Sequence, residues 1–366
     1  MRKNQLEFTY MRGIAIIFIV LGHSIYNSEE GFPLLLENLL RGGTALFVFI
    51  SGYFFHRIFY KDFDYGKFMK NKVQNVLYPF LVVSAVGLFC LSLRWIFMEH
   101  QPLEQLLLSI FYTVRNGYIL YPHWYIPFIM AVFLLSPVFL WFIRCSQQMR
   151  WTLFVLSCVA AILLHRPIGN VNFIHSVVYF MPFYLIGILY SQDEHLVSRY
   201  GSILSALAGI FLIVSLVEQS YIVQHVGNYH KAPFEYNGID WQFIQKLSLC
   251  VLVLNFCDWL SKRSRLPWLI EIAEMSFAIF FIHPLFDMLF NTTATIFRLR
   301  FPPGSAITSI LFSAAIFLFL MVGSIITAVL SGGSTDDTAL VVRVGFGNTA
   351  VAGDSVQLNN GNTSVA

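Results

Sequence analysis

Ten stretches of this chain, 10–26, 42–60, 76–97, 122–143, 151–165, 173–191, 201–218, 243–260, 267–290 and 305–330, run for about a membrane's width with few charges. A helix needs about 20 apolar residues to cross the hydrocarbon core of a bilayer. Inside that core a backbone must satisfy its own hydrogen bonds, and continuous rather than alternating apolar runs do so as helices. The expected fold class is therefore an all-α polytopic membrane protein of about ten transmembrane helices. Only 12% of the 366 residues are charged, against about 25% in soluble domains, which excludes an ordinary cytoplasmic enzyme. The apolar segment 103–114 is too short to cross and is expected to lie at the interface or to re-enter.

The chain divides into a membrane domain, 1–330, and a short polar tail, 331–366. The tail is rich in Gly, Asn, Ser and Thr, with Phe346 as its one aromatic residue. It is expected to be disordered or unrelated to the catalytic fold. A net charge of +3 gives no reason to expect a nucleic acid partner; the bilayer itself is the evident one. With the N-terminus inside, Arg2, Lys3, Arg57, Lys61, Lys67, Lys70, Lys72 and their like give the inner segments twice the Lys and Arg of the outer ones. Both termini are then cytoplasmic. The first span contains Arg12 and His23 and lacks a small-residue cleavage site, so it reads as retained. The five cysteines form no CxxC pair, and no metal site is expected.

Ionisable residues inside spans are costly and call for a reason. Arg12 and His23 are eleven positions apart in the first span. Eleven residues rise about 16 Å and turn about 1100°, close to three whole turns, so both side chains share one stripe of the helix. On spacing alone, Arg12 could be a snorkelling anchor and His23 a hydrogen-bonded packing residue. Ser51 and Gly52 interrupt the bulky second span beside Tyr53, and such small residues admit a neighbouring helix or a ligand. His123 and Trp124 open the fourth span, and the ninth carries Ser276, His283 and Asp287, the last pair four positions apart across Pro284. Asp287 reads more readily as a solvated residue near the outer end than as a partner of His283. The segment 219–242 presents Tyr221, His225, Tyr229, His230, Tyr236 and Trp241, either a wall for a polar ligand or an interfacial aromatic belt.

Taken in order, these pieces resemble the acyltransferase-3 family of integral-membrane O-acyltransferases. Arg12 and His23 match its arginine, ten residues, histidine signature. Phe47-Val48-Phe49-Ile50-Ser51-Gly52-Tyr53 is similar to its Phe-rich Ser-Gly motif, and His123-Trp124-Tyr125-Ile126 to its Trp-Phe-Leu element. Phe183-Tyr184-Leu185-Ile186-Gly187 and Ile279-Phe280-Phe281-Ile282-His283-Pro284 match two further elements, and the likeness spans about residues 7–330. Where the family often has two basic residues before the proline opening the third span, this chain has Lys70 and Lys72 followed by Gln74 and Asn75.

The resemblance implies a multi-pass protein of the bacterial inner membrane that moves an acyl group, acetyl by expectation, to a hydroxyl of a cell-envelope carbohydrate or glycolipid. Acyl-CoA, expected to be acetyl-CoA, is the co-substrate, and no bound cofactor is implied. His23 would be the catalytic base, and Arg12 would act in catalysis and in binding the donor. Lys70 and Lys72 would add to a phosphate-binding entry, although a positive-inside bias also explains them. Ser51, Gly52, Tyr53, His123, Trp124, Ser276 and His283 would line the pocket. A transporter or flippase of a lipid-linked sugar is the alternative, against which stands the lack of an evident internal repeat.

Overall fold

The computed structural model describes residues 6–28, 30–116, 119–167, 172–224, 230–231, 238–298 and 304–330. The tail 331–366, together with His225, Tyr229 and Tyr236 of the 219–242 segment, lies outside the described residues. Fifteen α-helices follow in chain order among those described: α1 (Leu6–His23), α2 (Leu34–Leu40), α3 (Gly43–Phe54), α4 (Tyr65–Lys72), α5 (Tyr78–Phe97), α6 (Leu103–Asn116), α7 (Tyr125–Leu134), α8 (Ser136–Arg144), α9 (Gln147–Leu164), α10 (Phe173–Gln192), α11 (Glu194–Val217), α12 (Trp241–Ser261), α13 (Pro267–Glu274), α14 (Ser276–Ile296) and α15 (Ala306–Leu330). Two-residue strands β1 (Arg166–Pro167) and β2 (His230–Lys231) pair in parallel and join two of the connecting segments. Among the described residues, nine helical stretches are long and apolar enough to cross a membrane, and the bent pair α7 and α8 makes ten.

Local chemistry accounts for the breaks. Pro137 follows Ser136 at the start of α8; it has no N–H to give and its ring crowds the turn before, so the fourth span bends by 52° after Leu135. The ninth apolar run, expected as one span over 267–290, divides at Met275. Short α13 keeps Glu271 and Glu274 out of the span, and Ser276 begins α14. Side-chain caps start α4, α9, α10 and α12, where Asp64, Ser146, Asn172 and Asp240 accept backbone N–H groups that would otherwise lack partners. Amphipathic α6, at 14 residues, is shorter than the stretches long enough to cross; it packs on α5 and leaves Leu103, Leu107 and Phe111 exposed.

Helix α1 is central and packs against α3, α12, α13, α14 and α15. Helix α3 crosses α10 at close range. A Cβ at Gly52 would overlap the Tyr184 carbonyl, and one at Gly187 the Phe49 carbonyl, so both positions need a residue without a side chain. Outward faces of α5, α9, α11 and α15 present Phe89, Val155, Ile213 and Leu311, which suits contact with lipid rather than water.

Candidate active site

Arg12, Ile16, Ile19 and His23 recur on α1 at the spacing of one helical face. Beside Ile19, between the two polar residues, lies a narrow, partly open cavity lined by Ile19, Phe47, Tyr125, Ser276, Phe277 and Phe280. Four elements meet there, α1, α3, α7 and α14. Its wall is apolar apart from hydroxyl groups. Ser276 is buried, and its Oγ makes no hydrogen bond within the protein. Ser51 donates its hydroxyl to the Phe47 carbonyl at 2.9 Å and meets the Tyr125 hydroxyl, so it braces the wall from behind.

At the His23 end three imidazoles gather. The His23 ring stacks on His283 with centroids 5.5 Å apart and meets Tyr121 edge-on at 4.9 Å. His283 is fully buried, and its Nδ1 bonds the Ile279 carbonyl at 2.8 Å. A carbonyl only accepts, so Nδ1 carries a proton, while Nε2 makes no hydrogen bond within the protein. Pro284 contributes to this arrangement: lacking an N–H, it leaves the Phe280 carbonyl without its helical donor, and the imidazole lies against that carbonyl too. Asp287 instead accepts from Asn291 at 3.2 Å. His123 is buried between Phe80 and Phe281, 3.3 Å from the Ser84 hydroxyl, and Trp124 stacks on Phe180. Among the described residues, no group of three or more His, Cys, Asp or Glu is placed to hold a metal ion.

At the other end, half-buried Arg12 faces Glu274. Burial holds that carboxyl above its ordinary range, and the guanidinium pulls it part of the way back.

Two parts of the expected site sit elsewhere. Gly52 is taken up by the contact with α10, and Tyr53 stacks on Phe8 while its hydroxyl donates to Glu194 at 2.9 Å, so neither belongs to the cavity wall. Gly52 serves the close approach of α3 to α10, and the Tyr53 ring and hydroxyl are occupied by Phe8 and Glu194. Lys72 is only 1% exposed, its ammonium held 4.8–5.1 Å over the rings of Phe59, Phe68 and Phe133 between two π-helical turns, 55–59 and 73–77. Lys70, two residues earlier and on the other side of the helix, is exposed. Tyr121 and Tyr125 were not singled out from the sequence. They flank His123 and Trp124 in the sequence, and an aromatic belt expected at a span end accounts for both equally well.

A family model described as an acyltransferase domain matches residues 5–329. The succinoglycan biosynthesis protein ExoH of Rhizobium meliloti (strain 1021) is 26% identical over 206 residues, 54% of this chain and 52% of that protein, so the chain matches about half of its length. A Staphylococcus aureus (strain N315) protein named "Probable poly-beta-1,6-N-acetyl-D-glucosamine export protein" is 24% identical over 330 residues, covering 80% of this chain and 85% of its own. No solved structure gives a significant match.

Proposed function

This chain belongs to the acyltransferase-3 family, and from that premise we propose that it transfers an acyl group, acetyl in the first instance, from acyl-CoA to a hydroxyl of a cell-envelope polysaccharide or glycolipid. The observation that carries this reading is the α1 stripe, with a cation at one end, an imidazole at the other and an apolar cavity between them. The acceptor oxygen attacks the thioester carbonyl carbon while His23 takes the hydroxyl proton. The C–S bond then breaks, and the proton returns to the departing thiolate. An alcohol is too weak an acid to react unaided near neutrality, and a positioned imidazole supplies about 10²–10⁴-fold by removing its proton. His283, stacked on His23, fixes the attitude of that ring. Arg12 offers planar paired donors to a phosphate of the donor, and exposed Lys70 adds charge at the same entry.

Arg12→Ala is expected to raise the KM for acyl-CoA about tenfold or more with a smaller effect on the acceptor, since hydrogen bonds to charged groups contribute about 1.5–3 kcal/mol. Arg12→Lys should recover part of the loss. Steady-state kinetics on purified protein decide it, and an unchanged donor KM in folded Arg12→Ala removes Arg12 from the donor site. Lys72, beneath its three rings, is expected to matter for folding more than for donor binding.

Orientation follows the loop charges, with both termini in the cytoplasm of a bacterial inner membrane. A cysteine placed at Lys231 should then react with an impermeant maleimide on intact cells. Labelling only after lysis reverses the orientation.

The export protein's name supports a second reading, movement of a polysaccharide across the membrane. Incubating purified protein with radiolabelled acetyl-CoA and cell-envelope glycan separates the two: label on the glycan supports transfer. A glycan that crosses sealed vesicles and stays unlabelled supports export.

A further inference from the structure

Between Arg12 and His23 the α1 stripe borders the start of α14. Ile19 lies one turn from His23 on α1, and it shares the cavity with Ser276, Phe277 and Phe280. The Phe280 ring centre is 6.3 Å from that of His283 and 5.6 Å from that of Tyr125, and His283 in turn stacks on His23 at 5.5 Å. A row of rings therefore joins the cavity to the proposed base.

Two features of the α14 end of that cavity suit an amide. Ser276 is 1% exposed and lines the cavity, and its Oγ has no hydrogen bond within the protein. A buried hydroxyl left unpaired is costly, and alanine in its place would carry no such cost. Met275, the residue before α14, gives no side-chain cap, so the first N–H groups of the helix have no partner within it. A hydroxyl that donates or accepts, set beside N–H groups that donate, matches a secondary amide, whose carbonyl accepts and whose N–H donates. The rest of the wall is supplied by Ile19, Phe47, Phe277 and Phe280 and by the Tyr125 ring. Such a wall suits methylene and methyl groups rather than a charge.

Spacing relates this point to both ends of the stripe. Ser276 precedes His283 by seven residues, two turns and about 10 Å of rise, and Arg12 precedes His23 by about 16 Å. An extended chain advances about 1.2 Å per bond, so the roughly twelve bonds between the sulfur and the pyrophosphate of coenzyme A span about 14 Å, and the roughly eight bonds to the carbonyl carbon of its second amide span about 10 Å. We propose that the cavity receives the pantetheine arm of the donor, and that Ser276, together with the first N–H groups of α14, holds the amide farther from the sulfur. The inference rests on the reading of acyl-CoA as the donor, and it names the residue that tells a pantetheine thioester from a shorter one. Phe47 and Phe277, both half-buried, turn aside to admit the arm.

The test uses the full chain in lipid nanodiscs and titration calorimetry with three probes: acetyl-CoA; S-acetylpantetheine, which keeps both amides without a phosphate; and S-acetyl-N-acetylcysteamine, which keeps only the amide nearer the sulfur. S-acetylpantetheine should bind at least about fivefold more tightly than the shorter probe. Ser276→Ala should weaken S-acetylpantetheine about three- to tenfold and leave the shorter probe within about twofold, since one hydrogen bond is lost from one probe alone. Its thermal midpoint should stay unchanged or rise, because the hydroxyl removed has no partner in the protein. Ser276→Cys, close in size but a weaker donor, should fall between the two. Equal binding of the two phosphate-free probes overturns the inference. So does a full preference for S-acetylpantetheine retained in folded Ser276→Ala, or in Ser276→Cys where the alanine variant does not fold. Acetyl-CoA that binds while the preference is missing leaves the donor reading standing and removes Ser276 from it, whereas no binding of acetyl-CoA overturns the donor and the arm together.

Discussion

His23→Ala should lower acyl transfer by at least about a hundredfold while the protein still inserts and folds, because the substitution removes a proton acceptor and leaves a side chain that lipid and packed helices tolerate. The ring it removes is half-buried and touches Tyr121 and His283 through ring faces and edges. A histidine serving only as a packing group predicts the opposite pattern, a loss of about 0.6–2 kcal/mol of stability with turnover nearly intact. Measuring acetyl transfer and thermal midpoint on the same purified sample separates the two. Turnover within about tenfold of the unaltered protein would falsify the catalytic assignment. His283→Asn makes a useful companion: it keeps a polar group near the Ile279 carbonyl and loses the stacked imidazole. A positioning residue of this kind should give a smaller fall in kcat and a displaced pH profile, with the donor KM little changed.

The second large effect is structural. Gly52→Ala and Gly187→Ala each place a methyl group where a backbone carbonyl of the partner helix already lies. Backbone moves less readily than the end of a side chain, so α3 and α10 must separate along their length. Overpacking of a tight contact costs about 1–3 kcal/mol and at times more, and this contact lies within the main core cluster. Each variant should therefore show a lower thermal midpoint and a smaller folded yield in detergent. The activity that remains should scale with the folded fraction. Because both residues serve one contact, the double variant should lose less than the two single losses added together. A Gly52→Ala protein with an unchanged midpoint would show that the helices separate at little cost.

Much of this protein follows from sequence alone, and the physical reason is the bilayer. A lipid environment accepts one kind of open backbone, the helix, and demands about 20 apolar residues for each crossing. Apolar runs therefore located the spans, and the nine long helical stretches with the bent pair at Leu135 agree with them. The stripe joining Arg12 to His23 was legible for a similar reason, since eleven residues of helix have a defined turn whatever surrounds them. Pro137 and Pro284 were visible too, but their consequences, a 52° bend and a carbonyl released toward His283, depend on what lies beside them.

Tertiary packing decided which polar residues share a site. Gly52 and Tyr53 adjoin Ser51 in sequence, yet helix rotation turns Gly52 to Tyr184 and sends Tyr53 to Phe8 and Glu194, while Ser51 stays behind the cavity wall. Lys72 looks like an inner-side surface charge until Phe59, Phe68 and Phe133 close over it from three separate elements. Arg41 and Arg166 are far apart along the chain, and nothing local marks them as lying within electrostatic range of His23. Sequence periodicity reports the face of one helix at a time. Which faces meet is set by steric fit between helices and by the cost of leaving charge in lipid, and both are properties of the assembled bundle.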